Sequence, residues 1–466
     1  MKFYKKRAVL CIILLIIIVC SSCSKKEEII LNREPFVGNV QQYVYATEEG
    51  RDREWEEDII FFAKTLLNRS EGHPLLKDYP CNIFTENSIM DGNSGSQLGK
   101  FYNLALQKEV IEQIDIVLAS IPALEDYEIT YKLQEILYNL NDIHTHIRVK
   151  SDYIYPFQTI PIFNENIDFY FIEVPKENEE LLYSKLEKIN GVPIREVMEK
   201  FEKIVPHENE YSFITNLNDR LFKKDALKYI GVGKEEKIRL TVSDKDGKRR
   251  TISQKAIHKD EMEHMEIVSH KNKVQTLLKD SHDEKEYYWY EYLEEKDTIY
   301  MRYAECELRD DIKFVDMIEE IKAIIETKDR IVKFIIDLRG NPGGQILEGF
   351  SSFIRWLQKN QELTGKVYVM IDEMTSSGAI ISAALIKKNV DNVVLIGNGG
   401  KQSPNFFAGS MYKLKNNDIT FLVSSVFYNV WPEYEEETLM PDVLITPTIE
   451  DYMNGIDTEL EAVLND

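Results

Sequence analysis

Three glycines and a proline stand within five residues in the run Asp337-Leu338-Arg339-Gly340-Asn341-Pro342-Gly343-Gly344. Glycine adopts backbone conformations closed to other residues, so such a run makes a tight turn whose N–H groups can point at a ligand. The chemistry on offer is anion or oxyanion binding; taken alone, the run reads as a structural turn. About thirty residues on, Thr375-Ser376-Ser377-Gly378 follows the apolar run Val367 to Asp372 and precedes a stretch of helical composition. A serine at a strand-to-helix turn presents its hydroxyl beside the first amides of the helix, as a nucleophile and half an oxyanion hole require. The plainer alternative is an ordinary N-cap serine. A serine nucleophile needs a base, and LNDIHTHIRV (residues 140–149) offers His144 and His146 beside a turn. Imidazole titrates near neutrality, which suits that task, although a lone histidine in this setting is usually structural or exposed.

Positioning these groups takes a particular order of elements. From Thr298 onward the pattern alternates strand and helix: TIYMRYAEC, a helix from about Ile312 to Lys328, strand VKFIIDL, the glycine turn opening a helix after Gly344, strand VYVMID, a helix from Ser377 to Lys388, strand VVLIG, then antiparallel-looking strands. Strands alternating with helices of this length predict a layered α/β domain. Upstream, residues 55–150 carry apolar residues at helical spacing, as in Ile59, Phe62 and Leu66. Residues 151–255 change to short alternating runs with Gly and Asn turns, including a hairpin at Asp246-Gly247 and a helix near Ile194 to Ile204. Residues 256–286 are so charged that they read as a solvated linker, and their His258, His264, His270 and His282 have no ligand-like spacing.

The N-terminus has a basic start, an apolar run from Ala8 to Val19 and small residues ending in Cys23. That run is short for a bilayer span and has the flanks of a secretory signal. Residues 1–22 are therefore expected to be a lipoprotein signal peptide, Cys23 the lipidated residue and 23–54 a tether; an uncleaved anchor helix is the alternative. In either case the body faces outward from the cell membrane. With Cys23 lipidated, Cys81 and Cys306 remain, free to pair in an oxidising compartment or to stand as isolated buried thiols. No Cys/His cluster suggests a metal, and no cofactor is expected. The formal charge is −23, and −27 once the four positive charges of the first 22 residues are set aside. A chain this acidic repels a phosphate backbone, which argues against a nucleic-acid partner. A hydrophobic fraction of 43% over 466 residues is enough for two or three packed domains.

Together these segments resemble the C-terminal-processing or tail-specific serine peptidases, in particular the branch related to the tricorn core protease. The D-x-R-x-N-x-G-G turn of that family is matched by Asp337, Arg339, Asn341, Gly343 and Gly344, its T-x-S turn by Thr375 and Ser377, and the D-x-H-T motif of the histidine-using branch by Asp142, His144 and Thr145. Gly397 to Asn405 and Pro441-Asp442-Val443 resemble its downstream segments. The resemblance implies a multidomain α/β protein with a layered ClpP/crotonase-like catalytic core (287–466), a β-rich middle region (151–255) that is PDZ-like or a generic β domain, and a helical N-terminal region (55–150). It implies Ser377 as nucleophile, His144 as general base, the amides of Gly343 and Gly378 as oxyanion hole, and an acid near the C-terminus, with Glu435 chosen among Glu433, Glu436 and Glu437. The tail-specific branch uses a lysine base in an F-G-K-G turn; Lys401, in GNGGKQ, is the nearest match and ranks second to His144. The expected activity is peptide-bond hydrolysis of a peptide or protein substrate at a membrane-anchored, extracytoplasmic site. The competing readings are a catalytically impaired peptide-binding lipoprotein on the same scaffold and, less well supported, a glycine turn that holds a coenzyme A thioester.

Overall fold

The computed structural model describes residues 50–68, 82–85, 90, 104–233, 236–328 and 330–466. The expected signal peptide, Cys23, most of the tether and Cys81 lie outside the described residues. Among the described residues, no helix is long and apolar enough to cross a membrane.

The N-terminal part comprises α1 (Arg51–Asn68), β1 (Asn82–Thr85), α2 (Leu104–Ser120) and α3 (Asp126–Tyr138). Trp55, Ile59, Phe62, Ala63 and Leu66 recur three or four residues apart along α1 and are fully buried, the stripe that fixes which face of the helix turns inward. Buried Asp58, on the same helix, accepts the backbone N–H groups of Lys415, Asn416 and Asn417 and so ties the N-terminal part to the far end of the chain.

There follow β2 (His146–Ile147), β3 (Tyr153–Ile154), β4 (Gln158–Phe163), β5 (Ile167–Pro175), β6 (Lys185–Ile189), β7 (Val192–Pro193), α4 (Ile194–Phe201), α5 (Glu210–Asn218), α6 (Lys224–Tyr229), β8 (Lys237–Ser243), β9 (Arg249–Lys255), β10 (Ile257–His258) and β11 (Ile267–Ser269). Seven of these strands form one sheet in the order β11-β5-β6-β8-β9, with β4 on β5 and β7 on β6. Asn190 and Gly191 turn β6 into β7 with φ of 50° and 84°, the left-handed pair that a two-residue hairpin demands. The segment 256–286, expected to be a solvated linker, is instead stitched to its surroundings. Its Ile257 pairs with Ile154, and Ile267 to Ser269 pair with β5. Buried Val268 anchors the second pairing, and a charge count over the segment masks those few apolar residues.

The last third contains β12 (Tyr288–Leu293), β13 (Thr298–Tyr303), α7 (Phe314–Thr327), β14 (Lys333–Asp337), α8 (Phe350–Lys359), α9 (Gln361–Thr364), β15 (Lys366–Ile371), α10 (Gly378–Asn389), β16 (Val393–Gly397), β17 (Asn405–Lys413), β18 (Thr420–Asn429), β19 (Val443–Leu444), α11 (Ile449–Asn454) and α12 (Thr458–Asn465). Its six-stranded sheet runs β12-β13-β14-β15-β16-β19, parallel except for the β12–β13 pair. Alternate residues of β14 face opposite layers: Phe334 and Ile336 pack with residues of α7, α8 and α10, whereas Ile335 joins Leu460 and Val463 of α12. A strand buried on both faces must be apolar throughout, which is why KFII precedes Asp337. Each such fully buried side chain contributes about 1.5–3 kcal/mol of transfer free energy.

A separate small sheet, β1-β18-β17 with β2 also on β18, brings N-terminal and C-terminal strands together. It is this sheet that carries the histidine motif.

Candidate active site

Asp337 ends β14 fully buried and accepts from Tyr300 Oη at 2.6 Å and from Arg339 Nη2 at 2.6 Å. Arg339 in turn donates to Asp457 at 2.6 and 2.9 Å and to Glu459 at 3.2 Å. Burial alone would raise the Asp337 carboxyl, but the Arg339 and Arg302 guanidinium groups hold it well below the usual carboxylate range. The D-x-R part of the glycine turn is thus a buried ionic anchor. Asn341 supplies a second anchor, donating Nδ2–H to the Tyr303 carbonyl at 2.8 Å and accepting the Gly343 N–H at Oδ1, also 2.8 Å.

Two expectations need correction here. The Gly343 N–H is taken up by Asn341 and is not the free oxyanion donor assigned to it. Nor does the turn open a helix: Gly343 and Gly344, at φ of 97° and 128°, lead into an extended bridge with Cys306, and α8 begins only at Phe350. That bridge uses the Gly343 carbonyl and the Gln345 N–H, which leaves the Gly344 N–H outside it.

The serine turn is sewn to the glycine turn. Thr375 Oγ1 donates to the Leu338 carbonyl at 3.1 Å, the Ser376 N–H to the Asn341 carbonyl at 3.0 Å, and the Gly340 N–H to Asp372 at 2.9 Å. Ser377 has φ 50° and ψ −119°, a conformation that non-glycine residues adopt at a cost of about 1–3 kcal/mol. It occupies the N-cap position of α10, yet its side chain makes no capping bond, so the ordinary N-cap reading does not describe it. Its N–H donates to Gln402 Oε1 at 2.9 Å, which also accepts Ser376 Oγ. The role of Gly343 is space: a Cβ there would stand 2.6 Å from Ser377 Cβ and 2.8 Å from the Gly378 nitrogen. Gly378 is as tightly placed, with a Cβ 2.5 Å from the Gly344 carbonyl oxygen, and as the first helical residue its N–H has no acceptor within the helix.

His144 is set by its neighbours in sequence. Asp142 accepts the His144 N–H at 2.8 Å and Thr145 Oγ1–H at 2.6 Å, and Thr145 Oγ1 accepts the Ser424 N–H at 3.0 Å. One residue on, His146 pairs with Leu422 of β18. The His144 ring stacks on Phe406 at 5.5 Å, and its buried Nδ1 has no hydrogen-bond partner. Burial lowers its pKa, the Lys401 charge lowers it further, and Asp142 opposes both. His146 is different in kind: its Nδ1 meets the Ile143 carbonyl at 2.7 Å, and burial pushes it down to about 4. Of the two histidines offered by the motif, His146 is thereby committed to the backbone.

Lys401 donates its N–H to the Thr375 carbonyl at 2.9 Å, and burial lowers its ammonium pKa. The segment 398–406 therefore links the two halves of the site: Lys401 and Gln402 hold the serine turn, and Phe406 lies against His144. Glu435 does not join them. Its side chain is exposed, on a loop whose Glu433 reaches Lys388 at 3.7 Å. The carboxyls beside His144 are those of Asp142 and Glu208, with one ring nitrogen and one oxygen from each acid all within 4.8 Å of one another. Sequence reasoning missed Glu208, which lies in no motif; the one local signal is the Asn209–Ser212 capping box that starts α5 just after it. Both Asp142 oxygens and Glu208 Oε1 already accept N–H or O–H donors, so the cluster is built for hydrogen bonds. Among the described residues Cys306 is a free, buried thiol.

A cleft of about 710 Å³ runs between the middle sheet and the core, lined by Phe163, His270, Gly340, Pro342, Asp372 and Tyr452 among others. It meets the glycine turn on its Gly340 side.

No protein-family model matches the sequence, and no curated protein matches it. Among solved structures the chain is similar to mature CPAF complexed with lactacystin, with a TM-score of 0.53 at 11% identity over 88% of this chain and 96% of that one. Mature CPAF without that compound aligns with a TM-score of 0.53 at 12% identity, over 88% and 95%. The photosystem II D1 C-terminal processing protease aligns over 76% and 90% of the chains with a TM-score of 0.36 at 11% identity, too distant to argue from. The CPAF alignments show a shared multidomain α/β fold that spans nearly all of both chains.

Proposed function

We propose that this protein is a serine peptidase that hydrolyses peptide bonds through an acyl-enzyme on Ser377. The observation that carries the reading is the backbone of Ser377: a non-glycine residue at φ 50°, ψ −119° between strand and helix, its hydroxyl withheld from the cap. Strain of this kind persists where the exposed hydroxyl is useful. Ser377 Oγ attacks the scissile carbonyl while His144 accepts its proton and then delivers it to the leaving amine; water reverses the sequence to free the acid. The Gly378 and Gly344 N–H groups, outside the helix and bridge hydrogen bonds, receive the oxyanion. Burial and the Lys401 charge keep His144 neutral and ready to accept a proton. We further place the protein outside the cytoplasm, held to the cell membrane by lipid on Cys23, on the strength of the sequence of residues 1–23.

Reaction of the full-length protein with a fluorophosphonate probe tests the mechanism. Labelling is expected in the parent, absent in Ser377→Ala, reduced about 100-fold or more in His144→Ala, and largely kept in Lys401→Ala. A folded parent that binds peptide and never labels is a binding protein. Incorporation of labelled fatty acid, lost in Cys23→Ala, tests the anchor.

A further inference from the structure

Glu208 stands beside the proposed base although no motif points to it. Its Oε1 accepts the Ile143 N–H at 3.0 Å, while Asp142 holds the amide of His144 and the hydroxyl of Thr145. Two carboxyls therefore clamp the three successive residues that carry the imidazole. Glu208 is itself fixed: its N–H donates to Ser212 Oγ at 2.9 Å, and the next residue, Asn209, caps α5 and donates Nδ2–H to the Glu437 carbonyl at 3.1 Å. The acidic loop 433–437 thus touches this region through a backbone carbonyl, while its Glu435 side chain is exposed.

We propose that Glu208, and not an acid of the 433–437 loop, is the positioning residue of His144. The inference rests on the reading of Ser377 and His144 as nucleophile and base. An imidazole that takes a proton in the transition state needs a fixed negative partner on its far side to hold the ring and stabilise the cation. Asp142 supplies that charge, and Glu208, its carboxyl within 4.8 Å of the Asp142 and His144 atoms, holds the turn through the Ile143 N–H, while the buried Nδ1 of His144 has no hydrogen-bond partner. Burial, and after it the Asp142 charge, push the Glu208 carboxyl up to about 8. The other groups acting on His144 are the Lys401 charge and the Phe407 backbone, which hydrogen-bonds to the imidazole.

The test is the second-order rate of fluorophosphonate labelling of the full-length protein from about pH 5 to about pH 9, across the imidazole range. Glu208→Ala is expected to label at least about tenfold more slowly than the parent. Glu208→Gln keeps an acceptor for the Ile143 N–H and recovers most of the rate at neutral pH, but it loses the alkaline limb that the parent shows as Glu208 ionises through about pH 8. A merely structural role leaves that limb in place, and the limb decides the matter if Glu208→Ala fails to fold. Glu435→Gln keeps the parent rate and profile. Parent-like rates and profiles in both Glu208 variants, or a loss confined to Glu435→Gln, overturn the inference alone. A parent that never labels overturns the reading beneath it.

Discussion

Two clusters of buried or half-buried carboxyls flank the site, and their charge is neutralised by different means. Asp337, Asp457 and Glu459 surround the Arg339 guanidinium, with Arg302 nearby, and Asp337 is held strongly acidic. For Glu208, beside Asp142, the compensation is a proton, and its carboxyl is held weakly acidic. A guanidinium keeps its charge at every pH a protein survives, whereas a carboxyl's proton leaves as pH rises. The first cluster makes the glycine turn indifferent to its surroundings. The second leaves the proposed base, His144, beside a group that responds to pH, as acid–base work requires.

The contrast can be broken at several points. The largest effect belongs to Arg339→Met, which leaves three acids buried around an apolar chain. Urea unfolding at neutral pH should show a loss of about 3–5 kcal/mol, and a loss under about 1 kcal/mol would mean that the cluster is not ionic. Next comes the pH dependence of stability. Because its folded pKa is raised, Glu208 holds a proton that the unfolded chain releases above the ordinary carboxyl range, so its contribution is full below that range and is lost as pH rises through about 8. Glu208→Gln should therefore gain on the parent as pH increases, read as a growing difference in urea midpoint. Glu373, pushed up by burial and Asp372, keeps part of the alkaline slope in both proteins. Asp337 has the opposite sign: its stabilisation is present above the ordinary carboxyl range and is lost only in strong acid. The smallest effect is expected for Glu435→Gln, an exposed change that should move the unfolding midpoint by under about 0.5 kcal/mol.

The parts of this molecule that were legible in sequence are those where local chemistry and fold coincide. Buried strands that end in Asp337 and Asp372, the hairpin turn at Asp246-Gly247 and the serine opening α10 all follow from short-range rules. What was missed depends on contacts distant in sequence. Glycines 343 and 344 look like a helix start until Cys306 is seen to pair with the second of them. The charged stretch around His258 to His282 looks solvated until β5 and β3 are there to receive its few apolar residues. Glu208 and Glu435 are each one glutamate among many in an acidic chain, and only the bond from the Ile143 N–H separates the half-buried one from the exposed one.

One further consequence follows from strand β18. It accepts β17 beside it, β1 from near the start of the described chain, and the histidine strand β2. The bond from Ser424 to Thr145 closes a span of 279 residues. A growing chain that has already made Ser377 still lacks the strand on which His144 is seated. On the proposed mechanism such a chain has its nucleophile without its base, and competence waits on the slow, long-range pairing that comes last.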